Sequence, residues 1–503
     1  MEIINKHLTR VKDHKYRVTP IIHLPARTLY CVFFLVSLLF AQWNPDQRLT
    51  VNDSVSWTSY NNAHAIAAGP DGVLHVVWHD QRNGGLFHDE IYYKRSTDGG
   101  VSWDIEDTRL TNDPAWSYLS SVAASGSNVH VVWSDNRDDT FAEIYYKRST
   151  DGGVSWSSED TRLTNDPALS YNPSLSASGS DVHVVWWDTR DGPDEIYYKR
   201  STDAGVSWDL EDTRLTDSWS ESKIPSISVS DSNVHVVWHD NRDGNYEIYY
   251  KRSTDNGNSW DSVDTRLTND SAESAWPSVS VSGSNVHVVW YDTRDGNYEI
   301  YYKRSTDNGS SWDSVDTRLT NDVSESIWPS VWASGQNVHT AWRDDRDGNY
   351  EIYYKRSTDA GTSWDFVDTR LTNAADMSSQ PALVCTDTMV HVVWADGRDG
   401  NLEIYYKCNP TGNPTSIVEN KSLQIHDQIG GPLHASPNPF CTFTRILGYE
   451  REWFTLYDVS GMKVGTYLGS CIGMDVGSGV YFLKKKQTTT VTQDLFLRIV
   501  KVK

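Results

Sequence analysis

Residues 277–322 read PSVSVSGSNVHVVWYDTRDGNYEIYYKRSTDNGSSWDSVDTRLTND, and units of this kind recur about every 52 residues along most of the chain. The unit divides into four runs: PSVSVS, then NVHVVW after a GSN turn, EIYYKRS after a DTRDGN loop, and a last run ending DTRLT after DNGSSW. Short runs rich in Val, Ile, Tyr and Thr, bounded by Gly, Asn and Asp, read as successive antiparallel hairpins. Four strands per unit at this period match one blade of a β-propeller.

The VHVVW-like run ends at Trp78, Trp133, Trp186, Trp238, Trp290, Trp342 and Trp394, and EIYYK begins at Glu90, Glu143, Glu195, Glu247, Glu299, Glu351 and Glu403, so both occur seven times. The fourth run, DTRLT, follows a Trp-bearing turn only six times; its seventh copy, Asp46-Gln47-Arg48-Leu49-Thr50, stands ahead of the array. The array thus starts on a fourth strand and finishes on a third. Complementary ends predict a ring in which residues 46–52 complete the blade built from residues 380–407, leaving none of the open ends that a solenoid must cap. The expected fold is all-β: a seven-bladed propeller over residues 43–408, four antiparallel strands per blade, followed by a small β-sandwich.

Net charge is −23, and residues 1–42 hold six Lys/Arg against two Asp/Glu, so the remainder stands at −27. A polyanion of that size argues against nucleic acid and acidic membranes as partners. Residues 1–42 read as an export signal, with Lys6, Arg10, Lys12, Lys15, Arg17 and Arg27 ahead of the apolar run LYCVFFLVSLLFA. That run is shorter than the ~20 residues of a spanning helix. The basic stretch is long enough to question the start codon, and cleavage near Ala41 leaves a mature chain without a transmembrane segment. An uncleaved anchor would equally place the repeats outside the cytoplasm. Beyond Cys31, the four cysteines Cys385, Cys408, Cys441 and Cys471 are too few for a disulfide scaffold, and pairing of Cys441 with Cys471 stays open. No metal site is indicated: there is no CxxC or His/Cys cluster. His75, His130, His183, His235, His287, His339 and His391 sit in strands apolar on both faces, and read as core or inter-blade histidines.

The stretch STDGGVSW at 96–103 fits S-x-D-x-G-x-x-W, as do stretches starting at Ser149, Ser201, Ser253, Ser305 and Ser357. Asp98, Asp151, Asp203, Asp255, Asp307 and Asp359 are placed to accept backbone N–H groups ahead of them, and the Gly permits a positive backbone dihedral. The seventh copy has become Cys408-Asn409-Pro410-Thr411-Gly412. The series resembles the Asp-box, or BNR, repeat of sialidases and related β-propellers. The resemblance implies that the boxes are structural and lie on the face away from a catalytic site.

Strand alternation puts the DxRDG loops and the TND-to-Pro connections on the opposite face, around the mouth of the central funnel. Candidate ligand-face residues there are Arg82, Arg137, Arg190, Arg242, Arg294, Arg346 and Arg398, with Trp116, Tyr118, Tyr171, Trp219, Trp276 and Trp328 in the inter-blade loops. Arginines beside stacking aromatics suit an acidic sugar; pairing with the Asp neighbours would instead lock each loop to the fold. Asp292, Asp295, Asn297 and Glu299 admit a calcium reading, although their spacing is not that of an EF-hand. No other cofactor is implied.

A sialidase of the resembling family uses three arginines from different blades, a Tyr nucleophile activated by a Glu, and a separate Asp as acid/base. Glycoside cleavage needs groups whose environments differ, yet Glu299, Tyr301 and their copies recur identically. The family's Arg-Ile-Pro stretch is absent, and seven blades exceed the family's six. No catalytic residue is assigned. The reading carried forward is an exported, monomeric, secreted or cell-surface propeller that binds an extracellular glycan or protein. The alternatives are an exo-sialidase-like glycoside hydrolase and a structural surface protein. Variation among the connections WSYLSS, LSYNPS, WSESKIPS, ESAWPS and ESIWPS leans toward binding.

Residues 409–430 read as a linker rich in Pro, Asn and Thr, and residues 431–503 carry ASPNPF, FTLYDVSG, SGVYFL and a terminal RIVKVK in that order. This order resembles the C-terminal sorting domain of type IX secretion. The resemblance implies an address read by secretion machinery.

Overall fold

The computed structural model describes residues 43–412, apart from 60–63, 84–87, 139–140 and 387, together with short strands between 435 and 501. The export-signal reading of residues 1–42, most of the linker, and Cys441 and Cys471 lie outside the described residues. The chain divides into two units, 1–417 and 418–503.

The first unit is a seven-bladed β-propeller of antiparallel sheets. Blade 5 is representative: Ser274–Ser282, Asn285–Asp292, Glu299–Ser305 and Thr317–Arg318 pair in chain order from the axis outward. In blade 1 the innermost strand is split into Ser56–Trp57 and Ile66–Ala68, both paired to Leu74–Asp80. Blade 7 lacks an outer strand of its own until Gln47–Arg48 pairs antiparallel with Tyr406 and Tyr405, the closure expected from the displaced DTRLT copy. Arg48 reaches Glu403 at 2.7 Å, and Asp46 takes Arg398 and Lys407, each at 2.7 Å. The innermost strands touch their neighbours in a closed circuit, with blade 7 against blade 1.

The repeated sequence explains why the blades adhere. In blade 5, Val286, Val288 and Trp290 face one neighbour and Val289 the other, all fully buried. The histidines are core residues: His235 Nδ1 pairs with the Tyr250 hydroxyl at 2.7 Å, and burial lowers the His235 pKa to about 3. Third-strand lysines cross between blades, Lys147 donating to the Leu110 carbonyl at 2.8 Å and Lys199 to that of Leu163 at 2.7 Å. The innermost strand would expose a free edge to the axis. Alternating serines of PSVSVS cover part of it: Ser226 Oγ accepts Val279 N–H at 3.2 Å, Ser228 accepts Val281 at 3.1 Å, and Ser280 accepts Ala333 at 2.9 Å, each from the next blade.

At the S-x-D-x-G-x-x-W turns, Asp255 Oδ1 accepts Ser259 N–H at 2.8 Å and its Oδ2 accepts the Ser259 hydroxyl at 2.6 Å, which lowers its pKa to about 2. Asp98, Asp151, Asp203, Asp307 and Asp359 make the same pair of bonds. The Trp of each turn leaves its own blade: Trp260 meets Tyr198 of the preceding blade edge-on, with centroids 4.9 Å apart. Gly257 has φ +80, and a Cβ there would fall 1.9 Å from the Tyr198 hydroxyl, so the glycine is required by the neighbouring blade as well as by its own turn.

The first strand differs from its sequence reading. It begins three residues before Pro277, at Ser274, so that Tyr118, Tyr171, Trp276 and Trp328 stand in strands and not in connections. A register shift between Ala275 and Ser278 accommodates the proline, which lacks an N–H and is tolerated at such a bulge.

In the second unit, Lys463–Leu468, Trp453–Tyr457, Gly479–Lys485 and Phe496–Lys501 form one antiparallel sheet in that spatial order, and Ala435–Ser436 pairs with Arg445–Ile446. Phe454 and Leu456 are buried. Among the described residues no helix is long and apolar enough to cross a membrane.

Candidate functional site

Six bulge residues ring the face that carries the DxRDG loops: Leu119, Asn172, Ile224, Trp276, Trp328 and Gln380, all with φ between 54 and 63. Left-handed backbone is costly for residues with a Cβ, most of all for a β-branched one such as Ile224. Their side chains fall into three chemistries: Leu119 and Ile224 are aliphatic, Asn172 and Gln380 are carboxamides, and Trp276 and Trp328 are indoles. Beside them, each cross-strand pair also changes from blade to blade: Trp57/His79, Tyr118/Ser134, Tyr171/Trp187, Lys223/His239, Ala275/Tyr291, Ile327/Arg343 and Ser379/Ala395. Thus a ring that is nearly uniform in its walls diverges at one mouth. Strained backbone with individual side chains, held on a rigid scaffold, is the arrangement expected of a binding surface.

The seven loop arginines are placed further out and are fully engaged. Arg242 holds Asp240 at 2.5 Å and Asp264, next to the outer strand, at 2.8 Å, with its guanidinium 4.5 Å from the Tyr249 ring centroid. Arg82, Arg137, Arg190, Arg294, Arg346 and Arg398 repeat the pattern with Asp80 and Asp107, Asp135 and Asp160, Asp188 and Asp212, Asp292 and Asp316, Asp344 and Asp368, and Asp396 and Asp46. Burial would lower the Arg242 pKa, but the two aspartates outweigh it and raise it. These arginines tie the second strand to the fourth, and the geometry leaves them little to offer a ligand. The quartet Asp292, Asp295, Asn297 and Glu299 is likewise occupied: Asp292 by Arg294, Asp295 by the Tyr301 hydroxyl and Arg318, and Glu299 by Arg318 and Asn297. Among the described residues no group of three or more His, Cys, Asp or Glu is arranged to hold a metal ion.

The aromatic candidates separate into two kinds. Trp219 is 77% exposed and Trp116 41%, both in connections. Trp276 and Trp328 stand on adjacent bulges at the mouth, ring centroids 6.0 Å apart and tilted by 42°. Tyrosines missed in the sequence extend this cluster across blades 4 to 6. Tyr246 donates to Glu221 at 2.8 Å, Tyr350 to Glu325 at 3.4 Å, and Tyr291 meets Tyr298 edge-on at 5.1 Å. Lys223, beside Trp187, is held by Asp194 and Glu221 at 2.8 and 3.1 Å. Buried His239 accepts the Trp276 N–H at 3.3 Å, and burial lowers its pKa to about 3, so it faces the mouth as a neutral ring.

Below the mouth, the channel is lined by small residues, among them Ala67, Ala123, Ser176, Ser228 and Ser280, and encloses a cavity of about 230 Å³. At the same strand level blade 6 carries Trp332, which meets His64 edge-on at 5.8 Å. His64 in turn pairs with the Leu175 carbonyl at 3.1 Å.

No protein-family model and no curated protein sequence matches the chain. Among solved structures, a Hadza microbial sialidase is similar over 57% of this chain and 63% of its own length, at 15% identity and a TM-score of 0.41. An ulvan lyase bound to a glucuronate–rhamnose-3-sulfate unit is similar over 72% of this chain and 95% of its own length, at 11% identity and a TM-score of 0.48. The NanB sialidase of Streptococcus pneumoniae is similar over 74% of this chain and 71% of its own length, at 13% identity and a TM-score of 0.40. At such identities the likeness is one of fold.

Proposed function

We propose that this chain is an exported, secreted or cell-surface propeller that binds an extracellular glycan or protein at the mouth ringed by its bulge residues, with a glycan the favoured ligand. The observation that carries this reading is the concentration of divergence at the mouth. Blades that keep their strands, ion pairs and turns nearly unchanged present Leu119, Asn172, Ile224, Trp276, Trp328 and Gln380 there. Partly exposed rings beside hydroxyls and carboxylates suit the apolar faces and polar rims of sugar rings. The C-terminal unit serves as the sorting address that its motif order resembles, and the S-x-D-x-G-x-x-W turns serve as structural Asp boxes.

Binding is favoured over cleavage. Three mouth pairs place a Tyr hydroxyl on a Glu, Tyr246 on Glu221, Tyr350 on Glu325 and Tyr291 on Glu273, and Glu221 with Tyr246 is the shortest at 2.8 Å. There burial and the adjacent carboxylate raise the Tyr246 pKa to about 12, and the hydrogen bond from Tyr246 lowers that of Glu221. Glu221 is placed as a general base to that phenol, but the seven loop arginines are each tied to two aspartates, so among the described residues no trio of arginines is left for the carboxylate of a sialidase substrate. The test is incubation of the full chain with a pool of acidic and neutral glycans, with and without calcium, followed by mass spectrometry. Retention without release is expected; release of monosaccharide or unsaturated products would overturn the binding reading, and no retention would favour a protein partner or a structural role.

A further inference from the structure

Arg343 stands apart from the arginines that stitch the blades. Its second-strand position is occupied in the other blades by His79, Ser134, Trp187, His239, Tyr291 and Ala395, so among the described residues only blade 6 places a guanidinium at this position of the mouth. Its Cζ lies 3.9 Å from the ring centroid of Trp328 and 3.7 Å from that of Tyr350, so two aromatic rings pack against it. Nη1 donates to the Ser379 hydroxyl at a long 3.3 Å, and buried Nε has no partner. Among the described residues no carboxylate forms an ion pair with it; Glu325 and Asp345 act only from further away.

The residue is 9% exposed. A buried cation without a counter-charge is costly, and stacking on rings offsets only part of that cost. Burial lowers the Arg343 pKa, whereas at Arg346, three residues on, two aspartates outweigh burial and raise it. Lys223, the other mouth cation, already has two carboxylates. What Arg343 leaves unused is the Nε–H donor of a guanidinium packed against two rings, a buried group that a charge-assisted hydrogen bond to an oxyanion entering the slot would satisfy.

We infer that blade 6 holds an oxyanion subsite, in which the free Nε–H of Arg343 takes the carboxylate or sulfate of an acidic saccharide whose ring lies against Trp276. The inference rests on the glycan reading of the mouth and adds the class of glycan to it. General electrostatic attraction does not supply the selectivity, because the chain carries a net charge of −23 and repels anions at long range. Preference for an acidic ligand therefore depends on this one cation.

The full chain is titrated calorimetrically with a uronic-acid tetrasaccharide, a sulfated tetrasaccharide and a neutral one, alongside Arg343→Gln and Arg343→Met. The methionine variant fills the slot between the rings if the glutamine variant does not fold. In parallel, thermal melts are recorded with free glucuronate or sulfate at constant ionic strength. One acidic class is expected to bind at least about tenfold more tightly than the neutral saccharide, and the variants to lose that preference while retaining the neutral affinity. Which of the two acidic ligands is preferred separates carboxylate from sulfate. Equal affinity for acidic and neutral saccharides, or a preference that survives both substitutions, overturns the subsite and leaves the glycan reading standing. Protection by free anions that vanishes in the variants, with no saccharide bound, keeps the subsite and removes the glycan reading. Neither binding nor protection removes both.

Discussion

At the scale of single residues, the glycines of the turns show how tightly one blade constrains the next. Gly257 combines φ +80 with a Cβ position 1.9 Å from the Tyr198 hydroxyl, whereas Gly283, at φ +58, has nothing within 4 Å. Gly257→Ala is expected to lower the unfolding free energy by about 2–4 kcal/mol and Gly283→Ala by about 1 kcal/mol, compared by urea denaturation. Equal costs would show that the inter-blade contact is unimportant. The buried histidines make stability depend on pH. Burial lowers His75, His130 and His391 to about 4, and His183, His235 and His287 to about 3. Each is neutral in the folded state below pH 6.5 while its unfolded counterpart takes a proton, so their stability contribution is full above about pH 6.5 and is lost as pH falls toward 4. The melting temperature should fall steeply across that window, with net proton uptake on unfolding; a flat profile between pH 7 and 5 would contradict their burial as neutral rings. These histidines were legible in the sequence, because their strands are apolar on both faces. Arg343 was not read there, although the signal existed: it replaces a residue that is His, Ser, Trp, Tyr or Ala in the other units.

At the scale of elements, strand boundaries were read from Pro277 onward because proline suggests a loop, and the bulge that admits it hid the mouth residues inside the strand. Loop arginines drew attention because they were repeated, yet repetition is what an interaction serving every blade produces; the Asp264 that completes the Arg242 pair lies beyond a whole strand and cannot be found from local spacing. The serine ladder of the innermost strands gives a direct test. Ser280→Ala removes the acceptor of Ala333 N–H, and should cost about 1 kcal/mol with increased amide exchange at Ala333, in the neighbouring blade. The closing strand is the more sensitive element. Arg48 binds Glu403, whose side chain is fully buried, across 355 residues of sequence. Arg48→Ala should destabilise by about 3 kcal/mol, because it leaves that carboxylate buried with weaker compensation, and limited proteolysis should then begin at the N-terminal strand.

At the scale of the whole molecule, a near-symmetric ring supports one asymmetric mouth. Trp276→Ala should weaken ligand binding by roughly tenfold or more while changing the melting temperature little, since the ring is only partly buried and stands on a rim. A large loss of stability without loss of binding would assign Trp276 to packing. The latch has a further consequence for how the chain counts. The Gln-Arg-Leu-Thr of residues 47–50 is almost the Thr-Arg-Leu-Thr that every other unit carries, and the edges it could join are all built from the same EIYYK sequence. Nothing in its own sequence selects blade 7; that seat is simply the one left vacant when the other six units have taken their own outer strands. Closure by elimination leaves the ends indifferent to the number of units between them: removal or duplication of one whole unit keeps both ends complementary, and ring size is then set by the angle at which neighbouring blades pack.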